Sequence, residues 1–483
     1  MSDGVQFPLS YELNTRVWLA ELSRRYAYPV TLANVPDEEL QKWSNFHFDV
    51  IWLMGVWETS LYSRGLALQD DDLLRYLGEV LPDWTDADIV SSPYSVSAYR
   101  VPECLGGEAG LAILRERLHR RSMRLILDFV PNHTAVECTW VRTNPEYYIS
   151  IPPEVLPRME PGSYFTTPDD LHFACGRLQY SPPWKDTLQL NYARPDVQKA
   201  MIAELRTVAQ RCDGVRCDTA IAVLKDVFSR TWGELAGQMQ NEFWDKAIAE
   251  VKQESPNFLF IGEVFGEMEW RLQHLGFDFT YDKALYDRLV NRDVPAIKAH
   301  LGAGWDFARR LVRFAENHDW PRATQIFGLN NKASSLITFL APGLRLVHQG
   351  QIEGRTRQLS VYLIRLPDEQ ENREIAAFYE RLFAVMHNPA ITQGDFRLLE
   401  IANDSVIGFE RKYGVRDRLI CVVNLTERDS ETPFSTDAFA TSQDYREMHV
   451  LSTERERSPQ FDLWPGGITL RLRSHEGLLF FIS

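Results

Sequence analysis

The sequence predicts an α/β protein: a closed (β/α)8 TIM barrel, a small domain inserted after its third strand, and a C-terminal antiparallel β-sandwich. Three observations carry this reading. Eight apolar, β-branched runs alternate with amphipathic stretches up to about Asp395. One connection between consecutive runs is far longer than the others. Beyond Asp395 the pattern changes to short alternating strands separated by turn residues.

The eight runs are Arg16–Leu19, Phe48–Leu53, Arg124–Asp128, Gly214–Cys217, Phe258–Ile261, Gly276–Phe279, Leu311–Phe314 and Gly343–Val347. Near-continuous apolar character suits parallel strands covered on both faces. Between them, Glu108–His119 places apolar residues at helical spacing. A barrel of about 250 residues gives each βα unit about 31. Glu263 and Asp319 lie close to two units apart, with a strand near Phe277 between them. Asp128 and Asp218 end consecutive runs yet lie almost three units apart. The excess falls on residues 134–191, rich in Pro, Tyr and Trp, and an irregular excursion of that length is expected to be a small domain rather than a bare loop. The expected division is therefore a barrel from 1–133 and 192–394, an inserted domain over 134–191, and a sandwich over 395–483. Ser405–Glu410, Leu419–Asn424, Ile468–Leu472 and Gly477–Ile482 supply sandwich strands.

Composition narrows the function. A chain of 483 residues, 45% hydrophobic and 25% charged, can bury a large core. Its net charge of −15, with Lys and Arg scattered, argues against nucleic-acid or anionic-membrane partners. Six cysteines without a Cys-x-x-Cys pair give neither a disulfide scaffold nor a zinc site. Met1–Gln6 has no basic or apolar leader and no apolar run spans a bilayer, so a cytoplasmic protein with reduced thiols is expected. No Gly-rich phosphate loop and no His-x-x-x-His pair occur. Nothing in the sequence specifies an oligomeric state.

In a parallel barrel, reacting groups sit just past the C-terminal ends of strands. Four runs end in such groups: Asp128 with Asn132 and His133, Arg216 with Asp218, Glu263, and Asn317 with His318 and Asp319. Arg216 and Asp218, two apart on a strand, share a face, and a guanidinium beside a carboxylate keeps it ionised as a nucleophile requires.

In this order and spacing the four stretches resemble the sequence regions of the α-amylase superfamily, glycoside hydrolase family 13, from the first strand to the sandwich. Pro93–Tyr99 is similar to the family's tyrosine-bearing segment, and Leu188–Asn191 to the end of its inserted domain. The resemblance implies a retaining enzyme acting on an α-glucan or α-glucoside. Asp218 would be the nucleophile, Glu263 the acid and then the base, and Asp319 a ligand of ring hydroxyls that tightens in the transition state. Arg216 would hold Asp218 ionised, His133 and His318 would bind hydroxyls, and Tyr94 would underlie the sugar ring. No cofactor is needed for the chemistry, and Asn132 is a candidate calcium ligand.

Two departures matter. Many starch-cleaving relatives carry Lys-His three and four positions after the nucleophile, where this chain has Ile221 and Ala222. That points away from starch toward short α-glucosides, and it removes a residue that commonly helps build the calcium site. Hydrolysis and glycosyl transfer share the covalent intermediate, and the four regions do not separate them. A catalytically silent carbohydrate-binding scaffold would use the same fold, but Asp218, Glu263, Asp319 and Arg216 are all present.

Overall fold

A computed structural model describes residues 6–414, 417–436, 449–454 and 458–482. Eight strands, β1 (Leu9–Asn14), β2 (Val50–Met54), β3 (Arg124–Phe129), β4 (Gly214–Cys217), β5 (Leu259–Gly262), β6 (Phe279–Tyr281), β7 (Leu311–Phe314) and β8 (Leu344–His348), pair in parallel in chain order. β8 closes onto β1 through Leu9↔Arg345 to Glu12↔His348. Helices such as Gly107–His119 and Pro195–Ala209 pack their apolar residues outside the ring.

The first strand corrects the sequence reading. Arg16–Leu19 is not a strand; it lies in the helix Thr15–Tyr26, and β1 precedes it. The Asn14 side chain accepts from the Val17 amide at 3.3 Å and starts the helix as an N-cap, which commits the following apolar run to helical geometry. Trp18 and Leu22, four apart, are then buried on one helix face. The other seven expected runs overlap the observed strands.

Between β3 and β4 the chain forms small antiparallel pairings. His133–Ala135 pairs with Thr187–Gln189, and Tyr164–Thr166 with His172–Ala174. The first pairing ties both ends of the excursion to the barrel mouth.

Eight further strands follow: β9 (Asp395–Leu398), β10 (Val406–Tyr413), β11 (Asp417–Asn424), β12 (Ser430–Ser435), β13 (His449–Ser452), β14 (Gln460–Trp464), β15 (Gly467–Leu472) and β16 (Gly477–Ile482). They form antiparallel sheets ordered β9-β10-β11-β16-β13 and β12-β15-β14. Val406, Ile420, Leu478 and Phe480 of the first sheet share an apolar cluster with Phe434, Ile468 and Leu470 of the second, which makes the pair a sandwich. The other face of the first sheet, including Phe409, Leu419, Cys421 and Val423, joins the barrel's own core. Arg411, fully buried on β10, donates to the carbonyls of Leu340, Ala390, Ile391 and Gly394 at 2.9–3.2 Å. No helix among the described residues is long and apolar enough to cross a membrane.

Candidate active site

The site grows from the C-terminal end of β4. Register places Arg216 beside Asp128 of β3 and Ile261 of β5, so its side chain enters the barrel mouth between their strands. There it is 1% exposed. Its Nη1 donates to Asp218 Oδ1 at 2.6 Å, and its Nη2 lies 2.9 Å from Glu263 Oε2. The rings of Tyr94, Trp52 and Tyr281 surround the guanidinium, with centroids at 5.2, 5.4 and 5.8 Å. A buried cation needs this arrangement: two carboxylates answer its charge, and aromatic faces line the remainder.

Thr219 completes the bridge. Its backbone is left-handed at φ +41, a conformation costly for a β-branched residue. That geometry sends its amide to Glu263 Oε2 at 2.6 Å, and its hydroxyl to Asp218 Oδ2 at 3.2 Å and Glu263 Oε2 at 3.4 Å. The strand ends are also stapled through their backbones: Asp218 N donates to Phe129 O, and Glu263 N to Cys217 O.

Burial pushes Glu263 up to about 7. Arg216 pulls it back, while Asp218 and Asp319 add to the rise. A carboxyl with such neighbours holds its proton near neutrality.

His318 sits on a second network. Its Nδ1 meets Glu12 Oε1 of β1 at 2.5 Å, and its Nε2 faces Tyr94 Oη at 2.7 Å and Asp319 Oδ2 at 3.2 Å. Burial disfavours the imidazolium, but Asp319 and Glu12 outweigh it and hold the ring up at about 9. Asp319 is less enclosed, with its side chain 42% exposed, and its backbone amide donates to Asn317 Oδ1 at 2.9 Å. Tyr94 stacks against the His318 ring at 5.5 Å.

The remaining expected residues divide. Asp128 is a clamp between strands: it accepts from Trp52 Nε1 at 3.1 Å and the Gly55 amide at 3.0 Å, and burial raises it to about 6. Gly55 reaches it with φ +75, and a Cβ there would stand 2.8 Å from Pro93 Cβ. His133 is buried near the site, its ring 5.1 Å from Trp184, and burial lowers its basicity against the pull of Asp218 and Asp186. Ile221 and Ala222 are buried in the turn Ala220–Val223. Lys283 Nζ lies 4.0 Å over the ring of Trp320, covering one face of that tryptophan.

Asn132 does not fit a calcium site. Its amide is closed in a reciprocal pair with Gln189, Nδ2 donating to Oε1 at 3.1 Å and Oδ1 accepting from Nε2 at 2.9 Å. A hard cation needs six to eight oxygens, chiefly carboxylates and carbonyls. No cluster of three His, Cys, Asp or Glu able to hold a metal occurs among the described residues.

Sequence reasoning missed Glu12, Thr219, Trp52 and Tyr281. A signal existed for Glu12, an acid standing inside the apolar stretch Leu9–Leu13. Thr219 had none, because its role rests on a backbone conformation.

Two carboxyl groups sharing a buried guanidinium stand at the C-terminal mouth of the barrel, the face on which (β/α)8 proteins place their reacting groups. Comparison gives the family: the profile described as "Alpha amylase, catalytic domain" matches residues 48–476, and the chain belongs to the α-amylase family. The intracellular maltogenic amylase of Bacillus subtilis is 23% identical over 328 residues, 62% of this chain and 50% of that protein. The α-amylase MalA of Haloarcula japonica is 22% identical over 350 residues, 69% of this chain and 45% of that protein. The chain thus spans about half the length of the curated relatives it matches. Among solved structures, an α-amylase from Lactobacillus plantarum superposes with a TM-score of 0.67 at 18% identity, covering 99% of both chains. An α-amylase from Geobacillus thermoleovorans, complexed with acarbose, gives 0.69 at 17% identity over 100% of this chain and 99% of that one. These likenesses show the fold.

Proposed function

We propose that the chain is a retaining α-glycoside hydrolase that cleaves α-glucosidic bonds of maltooligosaccharides or other short α-glucans through a covalent glycosyl-enzyme. The observation that carries this reading is the double bridge between Asp218 and Glu263. Both carboxylates reach the Thr219 hydroxyl and the Arg216 guanidinium, which favours the separation of about 5–5.5 Å used in retaining chemistry over the water-sized gap of inverting enzymes.

Asp218, oriented by its hydrogen bond from Arg216, attacks the anomeric carbon as the bond to the leaving oxygen breaks. Glu263 gives that oxygen its proton. Arg216 and Thr219 both engage Glu263 Oε2, so Oε1 carries the proton. Glu263 then takes a proton from water, which attacks the ester and frees Asp218. Asp319, His133 and His318 bind sugar hydroxyls, and Tyr94 lies under the ring. Sugar or phosphate in place of water would make the same site a transferase. The cytoplasm as location and the division at 134–191 and 395–483 belong to this reading, supported by six free thiols and by the pairing of His133–Ala135 with Thr187–Gln189.

The test is time-resolved NMR on maltotriose through maltoheptaose, with soluble starch for comparison. The first product should be the α-anomer; a β-anomer would overturn the retaining assignment. The buried, uncharged Ile221 and Ala222 offer a continuing chain no cation on the leaving-group side, so kcat/KM should favour the oligosaccharides over starch. Product chromatography with and without phosphate separates hydrolysis from transfer. A pH dependence follows as well. Glu263 must enter the reaction protonated, so kcat/KM should fall as pH rises through about 7. A profile flat to pH 9 would mean that Glu263 is not the acid.

A further inference from the structure

Glu12 stands on β1 with its side chain turned into the barrel, where the register sets it between His348 of β8 and Trp52 of β2. It is fully buried. Its Oε1 meets His318 Nδ1 at 2.5 Å and lies 3.4 Å from the His318 amide. Its Oε2 has no hydrogen-bond partner among the described residues. Burial raises Glu12, but His318, His348 and Arg216 draw it below the ordinary carboxylate value, so the anion persists. A carboxylate with one bare oxygen is costly to bury. A glutamine of the same shape would accept from Nδ1 equally well and cost less. What the carboxylate adds at this position is charge.

The other ring nitrogen of His318 shows where that charge is used. Nε2 faces two oxygens, Tyr94 Oη at 2.7 Å and Asp319 Oδ2 at 3.2 Å. A neutral ring with its proton on Nδ1, toward Glu12, would set a bare lone pair on Nε2 against the Asp319 carboxyl group. With its proton on Nε2 it would set the lone pair of Nδ1 against Glu12. Only the doubly protonated ring donates to both sides. The surrounding charges agree. Burial works against the imidazolium, and so does Arg216 of β4, but Asp319 and Glu12 prevail and hold the ring up at about 9. Asp128 of β3 also favours the cation, and Trp52 meets it as a neutral ring at 5.6 Å.

We propose that Glu12 is a positioning residue for the glycosidic reaction: it fixes His318 as an imidazolium, whose Nε2 holds Oδ2 of Asp319 and leaves Oδ1 for a hydroxyl of the reacting sugar. The inference rests on the glycosidase reading above. It gives β1, which carries none of the residues assigned there, a part in the site. Glu12 does not meet the sugar; it acts through His318 and Asp319. Asp319 needs such a hold because its side chain is 42% exposed and would otherwise turn freely toward solvent.

The experiment follows the ring directly, by nitrogen NMR of protein carrying labelled histidine, with the His318 signal identified by its loss in His318→Asn. In the wild type both ring nitrogens should remain largely protonated at about pH 8. In Glu12→Gln the ring should lose its proton about tenfold more readily, a shift of about one pH unit or more. Glu12→Asp, which keeps the charge at a greater distance, should fall between. The kinetic companion is the ratio of kcat/KM on maltotriose, wild type over Glu12→Gln. It should stay within about threefold near pH 5.5, where His318 is protonated in both, and widen to about tenfold or more near pH 8. A ratio that does not change with pH would overturn the positioning role, since a merely structural loss has no such dependence. A wild-type ring neutral at about pH 7, or equal titration in the wild type and Glu12→Gln, would overturn it as well. Should Glu12→Gln not fold, the wild type and Glu12→Asp decide by the same comparison. The NMR readout needs no turnover, so a protein that cleaved no α-glucoside would overturn the assigned reaction and leave the result at His318 standing.

Discussion

Asp218→Asn and Glu263→Gln are each expected to lower kcat/KM on maltotriose by about four orders of magnitude or more, with little change in Tm. Losses of that size are typical when one member of a catalytic unit is removed. Each amide keeps the shape and a hydrogen-bonding oxygen for Arg216, so packing at the barrel mouth should survive. The two variants should differ in one informative way. Glu263→Gln cannot protonate a leaving oxygen, so an aryl α-glucoside with an acidic phenol should recover much of the rate of the first step. Asp218→Asn lacks the attacking oxygen and should recover nothing with any leaving group. Near-normal activity in either variant, measured by initial rates, would end the assignment.

The second large effect is expected at Arg216. Arg216→Met removes the one guanidinium that both carboxylates share and leaves Asp218 and Glu263 buried side by side. Breaking a buried pair in this way destabilises by about 3–5 kcal/mol, read here by urea denaturation. The sign of its pH dependence is set by the same charges. Without Arg216, whose charge lowers it, the Glu263 carboxyl should rise still further above its unfolded value and hold its proton more tightly when folded. The variant is then relatively more stable in acid and loses stability as pH rises. Activity should fall at least about a thousandfold, because the hydrogen bond that orients Asp218 and the cation shared with Glu263 are both lost. Arg216→Lys should fall between, since a compact ammonium cannot fork to two carboxylates. A variant as stable at pH 8 as the wild type would show that the bridge carries no such weight.

Much of this site was readable before the fold was known, because its parts stand at the ends of recognisable strands. Arg216 and Asp218 close β4, Glu263 follows β5, and Asp319 follows β7 within a few residues. What escaped depended on geometry with no local signal. β1 was displaced by one helix because its polar residues, Ser10 and Glu12, interrupt the apolar pattern, while Val17-Trp18-Leu19 imitates a strand. Glu12 touches His318 across a sequence separation of 306 residues, a contact that only barrel closure makes. Thr219 matters through one left-handed dihedral. Asn132 shows the reverse case: a residue type compatible with calcium is occupied by Gln189, which the sequence places far away.

Arg411 carries a lesson about modularity. Its guanidinium, rooted in the sandwich, finds its acceptors in the last helices of the barrel and the link beyond them, and the sheet that bears it lends one face to the barrel's core. A recombination event that exchanged residues 395–483 for another sandwich would strip the barrel of part of its interior and leave four carbonyls without their donor. The C-terminal unit and its barrel are therefore a matched pair, each completing the other's interior.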